Sequence, residues 1–253
     1  MTGSQLSTIV EELDRYLVVD TVPDDANALN GLQVENSGKV TRVGAAVDAS
    51  ERTVREAVRR GCDLLIVHHG LFWGGNQPVT GRSYRRLKPL LDADVAVYSA
   101  HLPLDAHDEV GNNVLLARAL GVEVDGRFGN YKGVDIGWRG TLGVKREVLA
   151  ARLDELLEGR VKMMAFGPEI VRTVGVITGG AGSMIGAAAL AGLDAFITGE
   201  GSHHTYFDAQ ELGINVFYGG HYATETFGVK ALAERVSRQY DVPWEFIDFP
   251  TGL

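Results

Sequence analysis

Apolar residues at Leu6, Ile9, Val10, Leu13 and Leu17 recur at the spacing of one helix face, which predicts an amphipathic helix over residues 4–17. The stretch NALNGLQVENSG that follows keeps no period and is expected to be irregular. From residue 40 the pattern changes. Short aliphatic runs at 40–47, 63–67 and 95–99 have the length and composition of buried strands, and helix-like segments at 51–60, 84–92 and 112–120 alternate with them. Gly111 and Gly121 bound the last helix. Residues 121–170 are less regular, with a strand-like run at 137–144, a helix at 146–157 and a further strand at 161–166. Alternating strands and helices predict an α/β protein with largely parallel pairing.

The alternation occurs twice. With Val43-Gly44 written under Val174-Gly175, Ala57 falls on Ala188, Gly61 on Gly192, Asp63 on Asp194, Ile66 on Ile197 and Gly70 on Gly201. After a shift of register, Tyr98-Ser99-Ala100-His101 matches Tyr218-Gly219-Gly220-His221, and Asp105 falls on Glu225. The shift places an extra loop, FWGGNQPVTG, in the first copy. Two related α/β halves are expected, roughly 1–125 and 168–253, with 126–167 an irregular connecting region. No Gly/Ser-rich or Pro-rich linker separates the halves, so they are expected to pack as one body.

Composition narrows the function. The 253 residues carry 24 Lys and Arg against 33 Asp and Glu, a net charge of −9, which argues against a nucleic-acid or anionic-membrane binder. Arg52, Arg55, Arg59 and Arg60 cluster, as do Arg82, Arg85, Arg86 and Lys88, but at helical spacing such charges form a solvated face. Cys62 is the only cysteine, which rules out an intrachain disulfide and fits a small buried thiol. The N-terminus lacks the basic and apolar regions of a signal peptide, and no run reaches membrane-spanning length, so the cytoplasm is the expected compartment.

The chemistry is carried by histidine. All seven histidines fall in three windows: His68-His69, His101 with His107, and His203-His204 with His221. Each window lies at or just after the end of an expected strand, where ligand sites of open parallel sheets form. Adjacent residues of an extended chain point in opposite directions, so His68 and His69 are expected to serve two neighbouring ions rather than one. The spacing of His221 and Glu225 in HYATE puts both on one helix face, whereas Pro103 makes a helix from His101 to Asp105 less secure. Imidazole with carboxylate suits Zn, Fe or Mn better than Ca or Mg, and two neighbouring ions need a bridging ligand, for which a carboxylate such as Glu225 supplies two oxygens. A His-His pair by itself is more often a hydrogen-bonded pair. Its combination with two His-x-x-x-acid segments points to metal.

The motifs LIVHHGLFW, YSAHLPLDAHDEVGNN, TGEGSHHTYFDAQELG and YGGHYATETFG, preceded by NGLQVE, resemble in order those of the Nif-three-like family. Bacterial members of that family carry the name GTP cyclohydrolase I type 2 homologue. The resemblance spans roughly residues 5–250 and, at 253 residues, implies a member with no inserted central domain of the kind longer relatives carry. It implies a dinuclear centre in which His68 and His221 serve one metal, His69 and Asp105 the other, and Glu225 bridges them, with His101 and His204 beside the metals or facing substrate. Glu200 stands where many relatives have Asp, and His107 and His203 have no counterpart and are expected to be exposed surface histidines. The resemblance also implies a homo-oligomer, a ring of six.

The function so implied is metal-dependent hydrolysis of a nucleotide-like small substrate, in the named case opening of the GTP imidazole ring with loss of formate. The alternative is a non-catalytic metal-binding scaffold or metal-handling protein. No Gly-x-x-x-x-Gly-Lys-[Ser/Thr] loop is present, and TGGAGS at 178–183 is the one weak candidate for phosphate contact.

Overall fold

The computed structural model describes residues 4–75 and 77–253. The chain opens with β1 (Ser4–Gln5), α1 (Leu6–Leu17), β2 (Gly31–Val34), β3 (Lys39–Val40), β4 (Val43–Asp48), α2 (Glu51–Arg59) and β5 (Leu64–His69). It continues through α3 (Gly81–Asp92), β6 (Ala96–Ser99), α4 (Leu102–Asp105), α5 (Asn112–Ala119), β7 (Glu123–Tyr131), β8 (Val134–Lys145) and α6 (Arg146–Leu156). Then follow β9 (Lys162–Ala165), β10 (Ile170–Val176), α7 (Ile185–Leu190), β11 (Ala195–Thr198), α8 (Thr205–Leu212) and β12 (Asn215–Tyr218). It ends with α9 (His221–Thr224), α10 (Thr226–Tyr240) and β13 (Trp244–Phe246).

Two compact units divide these elements: residues 1–104 with 228–249, and residues 105–227 with 250–253. In the first, a five-stranded sheet runs β13-β4-β5-β6-β2. β13, β4, β5 and β6 are parallel, and β2 is antiparallel beside β6. Its core includes Val54, Leu65, Val67, Leu90 and Val97, all fully buried. Helix α1 buries Leu6, Ile9, Leu13 and Leu17 as its periodicity predicts. Each such side chain contributes roughly 1.5–3 kcal/mol on burial.

In the second unit a six-stranded sheet runs β7-β8-β10-β11-β12-β9. β10, β11 and β12 are parallel, with β8 and β9 antiparallel on either side. The core gathers Leu116, Leu149, Leu153, Val174, Ile197 and Phe217.

The internal repeat is borne out down to single hydrogen bonds. Asp63 accepts from the backbone N–H of Thr41 and Arg42, and Asp194 from that of Arg172 and Thr173, the positions matched to them. Cys62 N–H donates to Ala57, as Leu193 N–H does to Ala188. Gly61 and Gly192 take the same left-handed conformation, with φ of 70° and 72°.

The segment 126–167, expected to be irregular, is regular. It holds most of the β7–β8 hairpin, α6 and β9, and adds these to the parallel core of the second unit. The stretch after α1 is likewise not wholly irregular, because β2 forms the edge of the first sheet.

Candidate metal centre

In the first unit, β5 and β6 are neighbouring parallel strands, and their ends carry three histidines to one place. β5 terminates in His68 and His69, and His101 follows β6 by two residues. The ring centroids lie 4.7 Å apart for His68 and His69, 5.0 Å for His68 and His101, and 5.6 Å for His69 and His101. Each ring has a ligand-capable nitrogen within 4.8 Å of those of the others. His68 is fully buried. The expectation that the two adjacent imidazoles point apart is therefore corrected. His69 is the last residue of its strand, and its ring is turned by a hydrogen bond to Asp48, its cross-strand neighbour on β4.

The orientation of the rings follows from their Nδ1 partners. His68 Nδ1 lies 2.9 Å from the carbonyl oxygen of Ala100, His69 Nδ1 2.9 Å from Asp48 Oδ1, and His101 Nδ1 2.7 Å from Asp24 Oδ1. A carbonyl or an ionised carboxylate can only accept, so each Nδ1 carries the proton and donates it. In the neutral ring that fixes the lone pair on Nε2, as in histidines that bind metals.

Asp24 also accepts from Asn30 Nδ2 and the Leu102 N–H. Burial pushes its carboxyl up, but the hydrogen bond and attraction of His101 outweigh this, leaving it below the usual range. Trp73 closes one side, its ring edge-on to His69 and His101 at 5.8 and 4.9 Å.

The second unit gathers Asp105, His221 and Glu225 around the end of β10. Asp105 Oδ1 accepts from Asn112 Nδ2 at 2.8 Å and from Thr178 Oγ1 at 3.3 Å. The next residue, Gly179, has φ of 67°, and a Cβ there would sit 2.1 Å from Glu225 Oε1. Only glycine lets the backbone approach the carboxylate this closely. His221 opens α9 and Glu225 follows its end, so the helical spacing brings His221 Nε2 to 3.2 Å from Glu225 Oε1. His221 Nδ1 lies 2.8 Å from Glu200 Oε1. The hydrogen bond to Glu225 raises the imidazole to a pKa of about 9, against the effect of burial and with further help from Glu200.

Asp105 and Glu225 are 5% and 2% exposed, so these carboxylates are held largely out of water. Charge kept in such surroundings is paired or metal-bound. Imidazole Nε2 with carboxylate oxygen is a donor set that fits Zn, Fe or Mn.

Other histidines stand apart. His204 is exposed in the turn before α8, and His203 is exposed with its ring edge-on to Phe207. Neither belongs to a cluster of potential metal ligands among the described residues. His107 is half-buried rather than exposed, and its Nδ1 accepts from the N–H groups of Glu109 and Val110. The TGGAGS segment is committed to the fold. The N–H groups of Thr178, Gly179, Ala181 and Gly182 donate to Asn113, Thr224, Thr198 and Glu200 respectively, so these four are already committed and not aimed at a phosphate.

Sequence reasoning missed Asp24, Asp48 and Thr178. It named Glu200 only as a departure from the family motif. The repeat carried a signal for Glu200, which falls on His69 when the two copies are aligned.

The model of Duf34/NIF3 (NGG1p interacting factor 3) matches residues 4–251. The chain belongs to this family. A Deinococcus radiodurans protein named GTP cyclohydrolase 1 type 2 homolog is 43% identical over 249 residues, covering 97% of this chain and 93% of its own. An Escherichia coli protein of the same name is 41% identical over 255 residues, covering 99% of each. The crystal structure of a Thermus thermophilus protein, TTHA1606, superposes with a TM-score of 0.88 at 42% identity, covering 98% of this chain and 100% of that one. The Duf34/NIF3 chain thus shares its two-part α/β fold with solved relatives, and it carries His and Glu groups that could hold a metal ion.

Proposed function

We propose that this Duf34/NIF3 protein is a metal-dependent hydrolase acting on a nucleotide-like small substrate, with a dinuclear centre formed by His68, His69, Asp105, His221 and Glu225. One observation carries the reading. The ligand histidines His68, His69 and His221 each have Nδ1 hydrogen-bonded to an acceptor oxygen, which presets Nε2 as the metal-binding atom. The ions are Zn, Fe or Mn in this reading, with Glu225 as the bridge. Two such ions would lower the pKa of a water and stabilise negative charge developing on the substrate.

The chain's own groups do the rest. Asp24 holds the Nδ1 proton of His101, so the lone pair on Nε2 faces the site and can take a proton from water. Asp24 then steadies the imidazolium that forms, the service an orienting carboxylate gives a catalytic histidine. His204, exposed before α8, acts in this reading only on bound substrate. The half-exposed Trp73 offers an aromatic wall beside His69 and His101, which suits a substrate with a planar base.

The names of the Deinococcus and Escherichia proteins make GTP the first substrate to test. Protein loaded with Zn, Mn or Fe is expected to release formate from GTP, and His101→Ala to lower turnover about 100-fold or more. No formate from the metal-loaded protein, where a control enzyme produces it, removes GTP. A metal-loaded protein inert to a whole nucleotide panel removes the hydrolase and leaves a metal-binding scaffold. The same reading includes a homo-oligomer, a ring of six.

A further inference from the structure

From the first unit alone, we infer that His68, His69 and His101 bind one divalent ion by themselves, with His101 as the third ligand in the chain that carries a single ion. The clustered donors all belong to the β5 and β6 ends of one sheet. Each Nδ1 is tied to a different acceptor on that unit, Ala100, Asp48 or Asp24, so all three rings present Nε2. Three imidazoles with a fourth position open make a familiar first-row metal site.

The ligand atoms lie within 4.8 Å of one another. Nitrogens on a tetrahedral zinc ion are roughly 3.3 Å apart, given Zn–N bonds of about 2.0–2.1 Å. Binding an ion would draw the three nitrogens closer, each ring staying hydrogen-bonded through Nδ1. Asp24 is the positioning residue for His101: its side chain is 7% exposed, and it is fixed by Asn30 and the Leu102 N–H as well as by the imidazole.

The inference refines the metal-binding reading above and shares its premise that imidazole Nε2 atoms are the ligands. It adds an order of loading. His101 Nε2 cannot hold an ion and a proton at once, so its ligand role belongs to the singly loaded chain and its proton-handling role to the doubly loaded one. The first unit would capture the first ion with three neutral donors.

Cobalt(II) titration of the full chain lacking the second unit's donors, Asp105→Ala with His221→Ala and Glu225→Ala, tests this. The expected result is one bound ion with the visible absorption of a four-coordinate, nitrogen-rich site. Adding His101→Ala should weaken that ion about tenfold or more and change the spectrum. A folded variant that binds no cobalt, or one indifferent to His101, overturns the inference. Should circular dichroism show the triple variant unfolded, the same spectrum and affinity are compared between the unsubstituted chain and His101→Ala at one equivalent of cobalt. Identity between them overturns the inference and leaves the two-ion reading standing. An unsubstituted chain that binds no ion at all removes both.

Discussion

Gly179 is the residue against which the Glu225 carboxylate rests. Its φ of 67° and the 2.1 Å approach of Glu225 Oε1 to its missing Cβ leave an alanine nowhere to go. Left-handed backbone costs an ordinary residue roughly 1–2 kcal/mol, and the carboxylate would also be displaced. Gly179→Ala is therefore expected to lower the melting temperature and to lose bound metal, both measurable on one preparation. Full metal content with an unchanged melting temperature would contradict the fit.

A second expectation concerns His221, whose imidazole Glu225 raises to a pKa of about 9 in the metal-free chain. A raised pKa stabilises the fold fully below the unfolded value of about 6.5 and loses that contribution as pH climbs through the folded value. Urea midpoints of chelated protein should therefore fall between about pH 7 and 10, and His221→Gln should flatten that fall. A slope unchanged by the substitution would place the titration elsewhere.

Helix ends are where the repeat makes its sharpest structural claim. Gly61 and Gly192 close matching helix-to-strand turns with φ of 70° and 72°, and a Cβ at either would meet nothing within 4 Å. Backbone strain alone should therefore set the cost, and Gly61→Ala and Gly192→Ala should each destabilise by about 1 kcal/mol in urea titration. Costs differing by several-fold would mean that the two turns are not the same structure.

These elements were legible because glycines, aspartates and aliphatic runs recur in both copies at matched positions. What escaped was the sheet edges. β2 is a four-residue strand with a register shift against β6, and β7 contains two glycines and a register shift against β8, so neither alternates cleanly. The candidate site was legible in its histidines and acids, because these are the residue types that can bind first-row metals. The orientation of His69 was not, since it depends on Asp48, which only sheet register brings alongside. Asp24 was hidden for the same reason. Its partner His101 is 77 residues away in sequence.

For the molecule as a whole, the family assignment and the fold stand on near-full-length relatives, and no described helix is long and apolar enough to cross a membrane. The proposed ring of six makes a plain expectation: light scattering at micromolar concentration should give a mass near six chains of 27.3 kDa. A monomer would contradict it.

The central claim is the dinuclear centre, and elemental analysis of protein purified without chelator or affinity nickel tests it most directly. The account predicts about two first-row divalent ions per chain, falling to one or none in Glu225→Ala because the bridge is lost. A metal-free chain that takes up no ion on exposure to Zn, Fe or Mn, or a ratio indifferent to Glu225, would contradict it.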